Sequence, residues 1–211
     1  MFKRMFYVLI AVFAFSLYFN TAASADQTMG MVTYKDGSAT FFPGTKTVNS
    51  VVLAKDLLVP GPSGITCTGG EIITFFKNGE WESCVIKNSF RYAPLKEKTI
   101  IFKAGTVLVR SMNGTPVSGT VGSGTSYEGV PIKADEPITF DSKGVISSIV
   151  LSGDWLYKTI TWKGGTKMSF HSNGVPSEGV PASNFKFGNV TLQAGKRTSF
   201  SSGGNIERLN Y

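Results

Sequence analysis

A phrase of eleven residues is repeated five times in this chain, and its spacing limits the folds that the chain can adopt. The copies occupy residues 69–79, 104–114, 134–144, 164–174 and 194–204, and the last four begin 30 residues apart. Self-similarity with a period of 20–50 residues is typical of proteins that stack one small unit many times. We therefore predict one elongated domain of about five 30-residue units over residues 65–211.

Within the phrase, large apolar residues stand two positions apart, as Ile138 and Phe140 or Met168 and Phe170 do. Because the side chains of a strand alternate between its two faces, this spacing predicts strands with one apolar face turned inward. No long segment after residue 26 has the 3.6-residue period of an amphipathic helix. The chain is therefore predicted to be all-β.

Each copy of the phrase ends in a pair of turn-forming residues. These pairs are Asn-Gly at 78–79, 113–114 and 173–174, Gly-Gly at 203–204, and the less typical Lys143-Gly144. Asn-Gly and Gly-Gly can take positive φ at both positions, which a two-residue type I′ hairpin requires. We count about three strands in each unit.

Two arrangements are compatible with these strands. The turns favour stacked antiparallel hairpins in a meander. A β-helix with three short strands per coil is the alternative, because an odd number of antiparallel strands would reverse every second unit.

The first 25 residues have the features of a secretory signal peptide. Lys3 and Arg4 precede an apolar run over residues 5–19, and Ala23-Ser24-Ala25 offers a cleavage site. The run is short for a bilayer span, so we predict cleavage and no membrane span afterwards. The protein is then exported to the periplasm or the extracellular space. Residues 26–64 are predicted to be a degenerate segment that caps the open apolar end of the repeats.

Removal of Lys3 and Arg4 leaves 19 basic and 14 acidic side chains, a net charge of 19 − 14 = +5. A mild positive charge favours anionic envelope polymers or lipid head groups as partners. An envelope protein, bound by addition of a strand to a free sheet edge, is the other predicted partner. No basic run interleaved with aromatic residues indicates nucleic acid.

Cys67 and Cys84 flank the first copy of the phrase. A hairpin there places them on neighbouring strands, and in an oxidising compartment we predict that they form a disulfide. The chain has one histidine, His171, beside a predicted turn. These counts exclude a zinc site and Cys–His or Ser–His catalysis, and no cofactor is expected.

Acidic residues are the remaining source of catalytic groups. Asp135, Glu136 and Asp141 cluster in one repeat, and Arg110 replaces a core phenylalanine one repeat earlier. We predict that Arg110 reaches Asp135 or Asp141. A carbohydrate-active enzyme of the β-helix type would use such carboxylates, whereas solvated charges at loop edges are the simpler interpretation.

Aromatic residues recur at one position outside the phrase, namely Phe90, Trp155 and Phe185. We predict that they form a stripe along one edge of the array, suited to sugar rings, acyl chains or a partner protein. Packing against the repeat core is the alternative. Trp81 is counted with the exposed aromatic residues, since other repeats carry proline or isoleucine there.

The pattern F-x-x-N-G at residues 75–79 and 170–174, together with Tyr127-Glu128-Gly129, resembles MORN-type β-hairpin repeats and their bacterial variants. The period of 30 is longer than in that family, and Tyr-x-Gly occurs once. The resemblance implies a stacked-hairpin scaffold that binds proteins or lipid head groups and carries no catalytic residues.

The sequence thus predicts an exported, non-catalytic β-repeat binding or structural module. A lipid or lipopolysaccharide binder is one alternative, and it requires a cavity lined by the repeated Phe and Ile positions with a basic mouth. The carbohydrate-active enzyme is the other alternative.

Overall fold

A computed structural model describes residues 25–59, 64–95 and 98–209, so the predicted signal peptide, apart from its last residue, lies outside the described part. The described residues form strands and turns without a helix. In chain order the strands are β1 (Gln27–Met29), β2 (Val32–Tyr34), β3 (Thr40–Phe41), β4 (Val48–Val52), β5 (Leu57–Leu58), β6 (Thr66–Cys67), β7 (Ile72–Phe75), β8 (Trp81–Val85), β9 (Phe90–Leu95), β10 (Lys98–Phe102), β11 (Val107–Arg110), β12 (Pro116–Thr120), β13 (Ser126–Tyr127), β14 (Pro137–Phe140), β15 (Ile146–Val150), β16 (Trp155–Tyr157), β17 (Ile160–Trp162), β18 (Lys167–Phe170), β19 (Pro176–Gly179), β20 (Phe185–Phe187), β21 (Val190–Leu192), β22 (Thr198–Phe200) and β23 (Ile206–Leu209).

Twelve of these strands form one antiparallel sheet. Their order across it is β3-β4-β7-β8-β11-β12-β14-β15-β18-β19-β22-β23, so each strand lies beside the next sheet strand along the chain. Taken in pairs, they are a meander of hairpins. The prediction of an all-β fold of stacked antiparallel hairpins is confirmed, and the β-helix alternative is wrong.

Short ribbons of paired strands stand between the hairpins. They are β1–β2, β5–β6, β9–β10, β16–β17 and β20–β21, and β13 pairs with β10. A unit with a complete ribbon therefore holds four strands, and the prediction of three is wrong. An even number returns the chain to its starting direction, so successive hairpins point the same way.

One hydrophobic core lies between the sheet and the ribbons, and its members extend along the chain from Met29 to Ile206. The sheet contributes residues such as Ile73 and Ile138, and the ribbons contribute Phe102 and Trp162, all with at most 1% of their surface exposed. The alternate residues of the sheet strands face away from this core; many carry hydroxyl groups and are half-exposed, and the apolar Ile72 and Val107 are at least 50% exposed.

Hydroxyl groups on that outer face bond across neighbouring strands. Thr74 Oγ1 lies 2.8 Å from Ser83 Oγ, and Thr139 Oγ1 lies 2.8 Å from Ser148 Oγ. These cross-strand pairs stabilise the register of the hairpins.

The hairpin turns differ from the predicted type. Only glycine has positive φ in them, with 85° at Gly79 and 77° at Gly144. The amide of Gly79 donates to the Phe76 carbonyl at 2.9 Å, and a register shift follows. This is a three-residue loop with a bulge at glycine rather than a type I′ turn. Lys143 fits it well, because its position needs no positive φ.

Cys67 of β6 and Cys84 of β8 form a disulfide with 5.8 Å between their Cα atoms. The bond joins a ribbon to the main sheet within the buried core.

Residues 26–64 were predicted to be a cap. They form the ribbon β1–β2 and the hairpin β3–β4, which is the last hairpin at one edge of the sheet. Residues 60–63 of this segment lie outside the described part.

Candidate functional site

Neighbouring ribbons leave grooves between them, above the hairpin turns. The groove that holds Trp155 is a cavity of about 510 Å³, which we call the Trp155 pocket. Four aromatic rings contribute to its wall, and polar side chains stand at its mouth. The rings are those of Tyr127, Trp155, Tyr157 and Phe170, and the polar residues are Lys98, Glu128, Lys158, Ser172 and Asn173.

The ribbon β16–β17 positions two of these rings. Trp155 and Tyr157 are two residues apart, so they lie on one face of β16, and their centroids are 5.2 Å apart. Leu156 points the other way and is 64% exposed. Trp155 also contacts Phe170 of the main sheet, with 6.1 Å between ring centroids. The indole is therefore supported from below while part of its surface remains open.

Lys98 and Glu128 form an ion pair at the mouth of the pocket, with 2.8 Å between Nζ and Oε1. The hydrogen bond with Glu128 raises the pKa of Lys98, against an opposing effect of burial. The ammonium group also lies 5.1 Å from the centre of the Tyr127 ring. This pair is close to neutral and holds the Tyr127 side of the pocket in place.

Lys158 supplies a positive charge that, among the described residues, no carboxylate balances. Its Nζ lies 5.6 Å from the centre of the Tyr157 ring, and within the described part of the chain it has no ion-pair partner. Lys158 lies in the turn between β16 and β17, where its backbone has a φ of 55°. An anion that entered the pocket would meet this ammonium group.

The arrangement suits the binding of a ring with an apolar face and polar edges. Aromatic faces provide the contact area, and the lysine, serine and asparagine side chains provide hydrogen bonds. Among the described residues that line the pocket, Glu128 is the one carboxylate. Glycoside hydrolysis by the common mechanisms needs two.

The structure places the three residues of the predicted stripe at equivalent positions on β9, β16 and β20. All three are half-buried and pack against the core, and Phe90 stacks on Phe102 with 6.1 Å between centroids. Of the three, Trp155 lines the pocket described above, and a ligand-binding role for the stripe stays a prediction. Trp81 is only 6% exposed, so counting it as exposed was wrong. It faces inward because it pairs with Phe75 on the core side of the hairpin.

Each of the clustered carboxylates has a structural partner. Asp135 lies 2.6 Å from Lys103, and Glu136 lies 2.9 Å from Lys133. Asp141 Oδ1 accepts hydrogen bonds from two backbone amides of its own hairpin turn, at 2.9 Å each. These contacts account for the cluster as two surface ion pairs and a turn cap.

Arg110 was predicted to reach Asp135 or Asp141, and this is wrong. Its Nε donates to the Trp81 carbonyl at 2.6 Å, and its Nη2 lies 3.3 Å from Glu80 Oε2. The side chain turns toward β8, which pairs with β11, and the guanidinium stacks over the Trp81 ring at 4.6 Å. Asp135 and Asp141 flank β14, which β12 separates from β11.

His171 bridges two hairpins, because its Nε2–H donates to the Phe200 carbonyl at 2.7 Å. In residues 25–59, 64–95 and 98–209, no group of three or more histidine, cysteine, aspartate or glutamate side chains is placed to hold a metal ion.

A second cavity, of about 640 Å³, lies near the N-terminal end of the array, and we call it the Arg110 pocket. Its wall is apolar apart from Arg110 and Glu80. It includes Ile73 and Phe75 of the main sheet and two methionines, Met29 and Met31. Sequence reasoning noticed Arg110 as an anomaly but missed the methionines, which belong to a ribbon without a copy of the phrase.

Sequence reasoning also missed Lys98 and Lys158, and it gave Tyr127 and Tyr157 no place in a site. The signal that could have found the two tyrosines is the recurrence of tyrosine at Tyr92, Tyr127 and Tyr157, since a core residue has no need of a hydroxyl group.

No protein-family model matches this chain, and neither the curated proteins nor the solved structures give a match. The resemblance to MORN-type repeats therefore stays a prediction.

Proposed function

We propose that the protein is an exported, non-catalytic β-repeat binding module of the cell envelope or the extracellular space. It binds a saccharide unit of an anionic envelope polymer in the Trp155 pocket. The observation that carries this proposal is the pair of rings, Trp155 and Tyr157, beside the unbalanced ammonium group of Lys158. The rings offer a stacking surface, and the ammonium group selects a negatively charged sugar.

Export is supported by two features of the chain. The first 25 residues read as a signal peptide, and the Cys67–Cys84 disulfide is compatible with an oxidising compartment. Within the described residues, no helix has the length and apolar character needed to cross a membrane.

Affinity electrophoresis tests the proposal. The protein without residues 1–25 is run in native gels that contain alginate, a polymer of uronic acids, or neutral hydroxyethylcellulose. Alginate is expected to retard the protein and hydroxyethylcellulose is not. Trp155→Ala is expected to weaken alginate binding by about tenfold or more, since the loss of one aromatic contact corresponds to about 1.4 kcal/mol.

Two lysine variants provide a matched comparison. Lys158→Glu reverses the charge at the pocket, and Lys163→Glu makes the same change at an exposed residue that does not line it. Binding should be lost in the first variant and kept in the second. Equal losses in both would mean that net charge alone holds the polymer, and unretarded wild-type protein in the alginate gel would refute the proposal.

A lipid or lipopolysaccharide binder is the second candidate, and the Arg110 pocket favours it. The cavity is lined by Ile73 and Phe75, two repeated core positions, and has a guanidinium group at its wall. Its volume lies within the range of small-molecule sites. Titration with laurate in the presence of a fluorescent fatty acid tests this candidate. Displacement of the fluorescent fatty acid by laurate would support this candidate if Arg110→Met weakens the displacement and Arg91→Met leaves it unchanged. The absence of any bound fluorescent fatty acid would count against it.

A further inference from the structure

The Trp155 pocket has a neighbour of the same construction. A cavity of about 290 Å³ lies between the ribbons β16–β17 and β20–β21, and we call it the Phe187 pocket. Its wall repeats that of the Trp155 pocket 30 residues further along the chain. Tyr127, Tyr157, Phe170 and Gly174 of the first pocket correspond to Tyr157, Phe187, Phe200 and Gly204 of the second.

The two pockets are contiguous, because Tyr157 and Lys158 line both of them. Tyr157 is the inner ring of the Trp155 pocket. In the Phe187 pocket, the same Tyr157 occupies the position that Tyr127 occupies in the Trp155 pocket. Lys158 takes the place of Glu128 in the same way. The shared wall therefore carries one aromatic ring and one positive charge that both cavities can use.

The distance between the pockets follows from the sheet. One unit contributes one hairpin, which is two strands, and neighbouring strands are ~4.8 Å apart, so equivalent points are separated by roughly 10 Å. A β-1,4-linked disaccharide has about this length in its extended form. A linear polymer of such disaccharides would present the same chemical group to each pocket in turn.

We propose that the Trp155 and Phe187 pockets are consecutive subsites for one linear anionic polysaccharide, with one disaccharide for each 30-residue unit. This inference rests on the proposed function. The polymer runs along the array, across the shared wall, and one of its carboxylates pairs with Lys158. The charge complementarity is local, since Lys158 is unbalanced within the described residues and the Phe187 pocket has no carboxylate among its lining residues.

Calorimetric titration with oligomers of β-1,4-linked mannuronate containing two, four, six and eight sugars tests the inference. The tetramer is expected to bind the wild type at least about tenfold more tightly than the dimer, because its second half binds intramolecularly. Longer oligomers should add little for these two subsites.

Two variants remove the second subsite without touching residues that line only the first. Phe187→Ala deletes its inner ring. Asn205→Glu places a negative charge at its rim, on an exposed residue whose replacement leaves the core intact. Both should abolish the difference between tetramer and dimer while leaving dimer affinity within about twofold. Asn189→Glu, the same change at an exposed residue outside the pocket, should keep the difference.

The outcomes separate the two proposals. Dimer and tetramer affinities that agree within about twofold in the wild type would overturn the array of subsites and leave the single saccharide site standing. Failure of every oligomer to bind would overturn the proposed function itself. Equal affinity for poly-L-glutamate of matched length would mean that the groove accepts an acidic peptide, which would also overturn the inference.

Discussion

Gly119 faces the ring of Phe102, and the substitution Gly119→Ala tests how tightly the ribbons pack on the sheet. A Cβ atom at this position would lie 2.5 Å from Phe102 Cδ1 and 2.8 Å from Cε1. Carbon atoms in favourable contact are ~3.5–4.0 Å apart, so the ring would have to move by roughly 1 Å. Phe102 is fully buried, which leaves the ring little room to do so.

The expected cost follows from these distances. Overpacking of a well-filled core costs about 1–3 kcal/mol. Replacement of glycine by alanine where φ is not positive stabilises a protein by about 0.4–1 kcal/mol, because alanine lowers the conformational entropy of the unfolded chain. Gly119 has no positive φ, so this gain applies to it. The free energy of unfolding should therefore fall by about 1–2 kcal/mol, which lowers the Tm of a chain of this size by about 2–8 °C.

Urea unfolding of a double-mutant cycle isolates the contact. Phe102→Leu shortens the opposing side chain, so Phe102→Leu/Gly119→Ala should be more stable than the sum of the single effects by about 1 kcal/mol or more. Gly153→Ala is the control, because nothing lies within 4 Å of its added Cβ, and it should not destabilise the protein. Additivity within about 0.5 kcal/mol would refute the packing argument.

Three further predictions concern single features of the fold. Replacing both Cys67 and Cys84 by alanine should lower the free energy of unfolding by about 3 kcal/mol, since the disulfide closes a loop of 17 residues; a loss below about 1 kcal/mol in urea unfolding would contradict this. Asp135→Gly should be more stable than Asp135→Ala by about 1 kcal/mol, because both variants lose the Lys103 ion pair but only glycine relieves the φ of 65° at this position, and equal urea midpoints would argue against strain there. A hydrogen bond from the Gly69 amide and, after it, one from the Lys87 ammonium hold the pKa of Asp56 below its usual value. The stability that ionised Asp56 contributes is therefore present above about pH 4 and is lost as pH falls through the lowered pKa. Asp56→Asn should therefore lose less stability than the wild type between pH 7 and pH 3, and parallel losses in the two proteins would contradict the assignment.

The hairpins could be predicted from the sequence because their signals are local. Apolar residues two apart and a glycine at the end of each phrase define a strand and its turn without knowledge of the rest of the chain. The ribbons were harder, since β16 has three residues and its turn at Lys158 and Thr159 carries neither glycine nor asparagine. The turn of β20–β21 is Gly188-Asn189, so what the two ribbons share is the short length of their strands, three residues each, and the first strand of each ribbon was missed for that reason.

The candidate site could be predicted only in part. Trp155 was named because it recurs at an aromatic position, but a pocket depends on the space left between two ribbons, which no single segment encodes. Lys98 and Glu128 are 30 residues apart and meet only because β10 pairs with β13. The partner of Arg110 was mispredicted for a similar reason: Asp135 and Asp141 flank β14, and the sequence does not state that β12 separates β14 from the Arg110 strand.

The pairing of large and small residues explains how such grooves can recur while their side chains change. Cys84 follows Cys67 by 17 positions, and Gly119 follows Phe102 by the same interval. Trp162 likewise stands opposite Gly179, where an added Cβ would lie 2.6 Å from the indole ring. A ring against glycine occupies the space that a disulfide fills elsewhere, so the thickness of the layer can be kept while the residues vary. Where such a pair keeps the thickness, the ribbon can stand at the same height above the sheet, and the groove beside it can be reproduced in the next unit. The residues that line the groove remain free to differ, which is why the apolar Arg110 pocket and the aromatic Trp155 pocket can share one architecture.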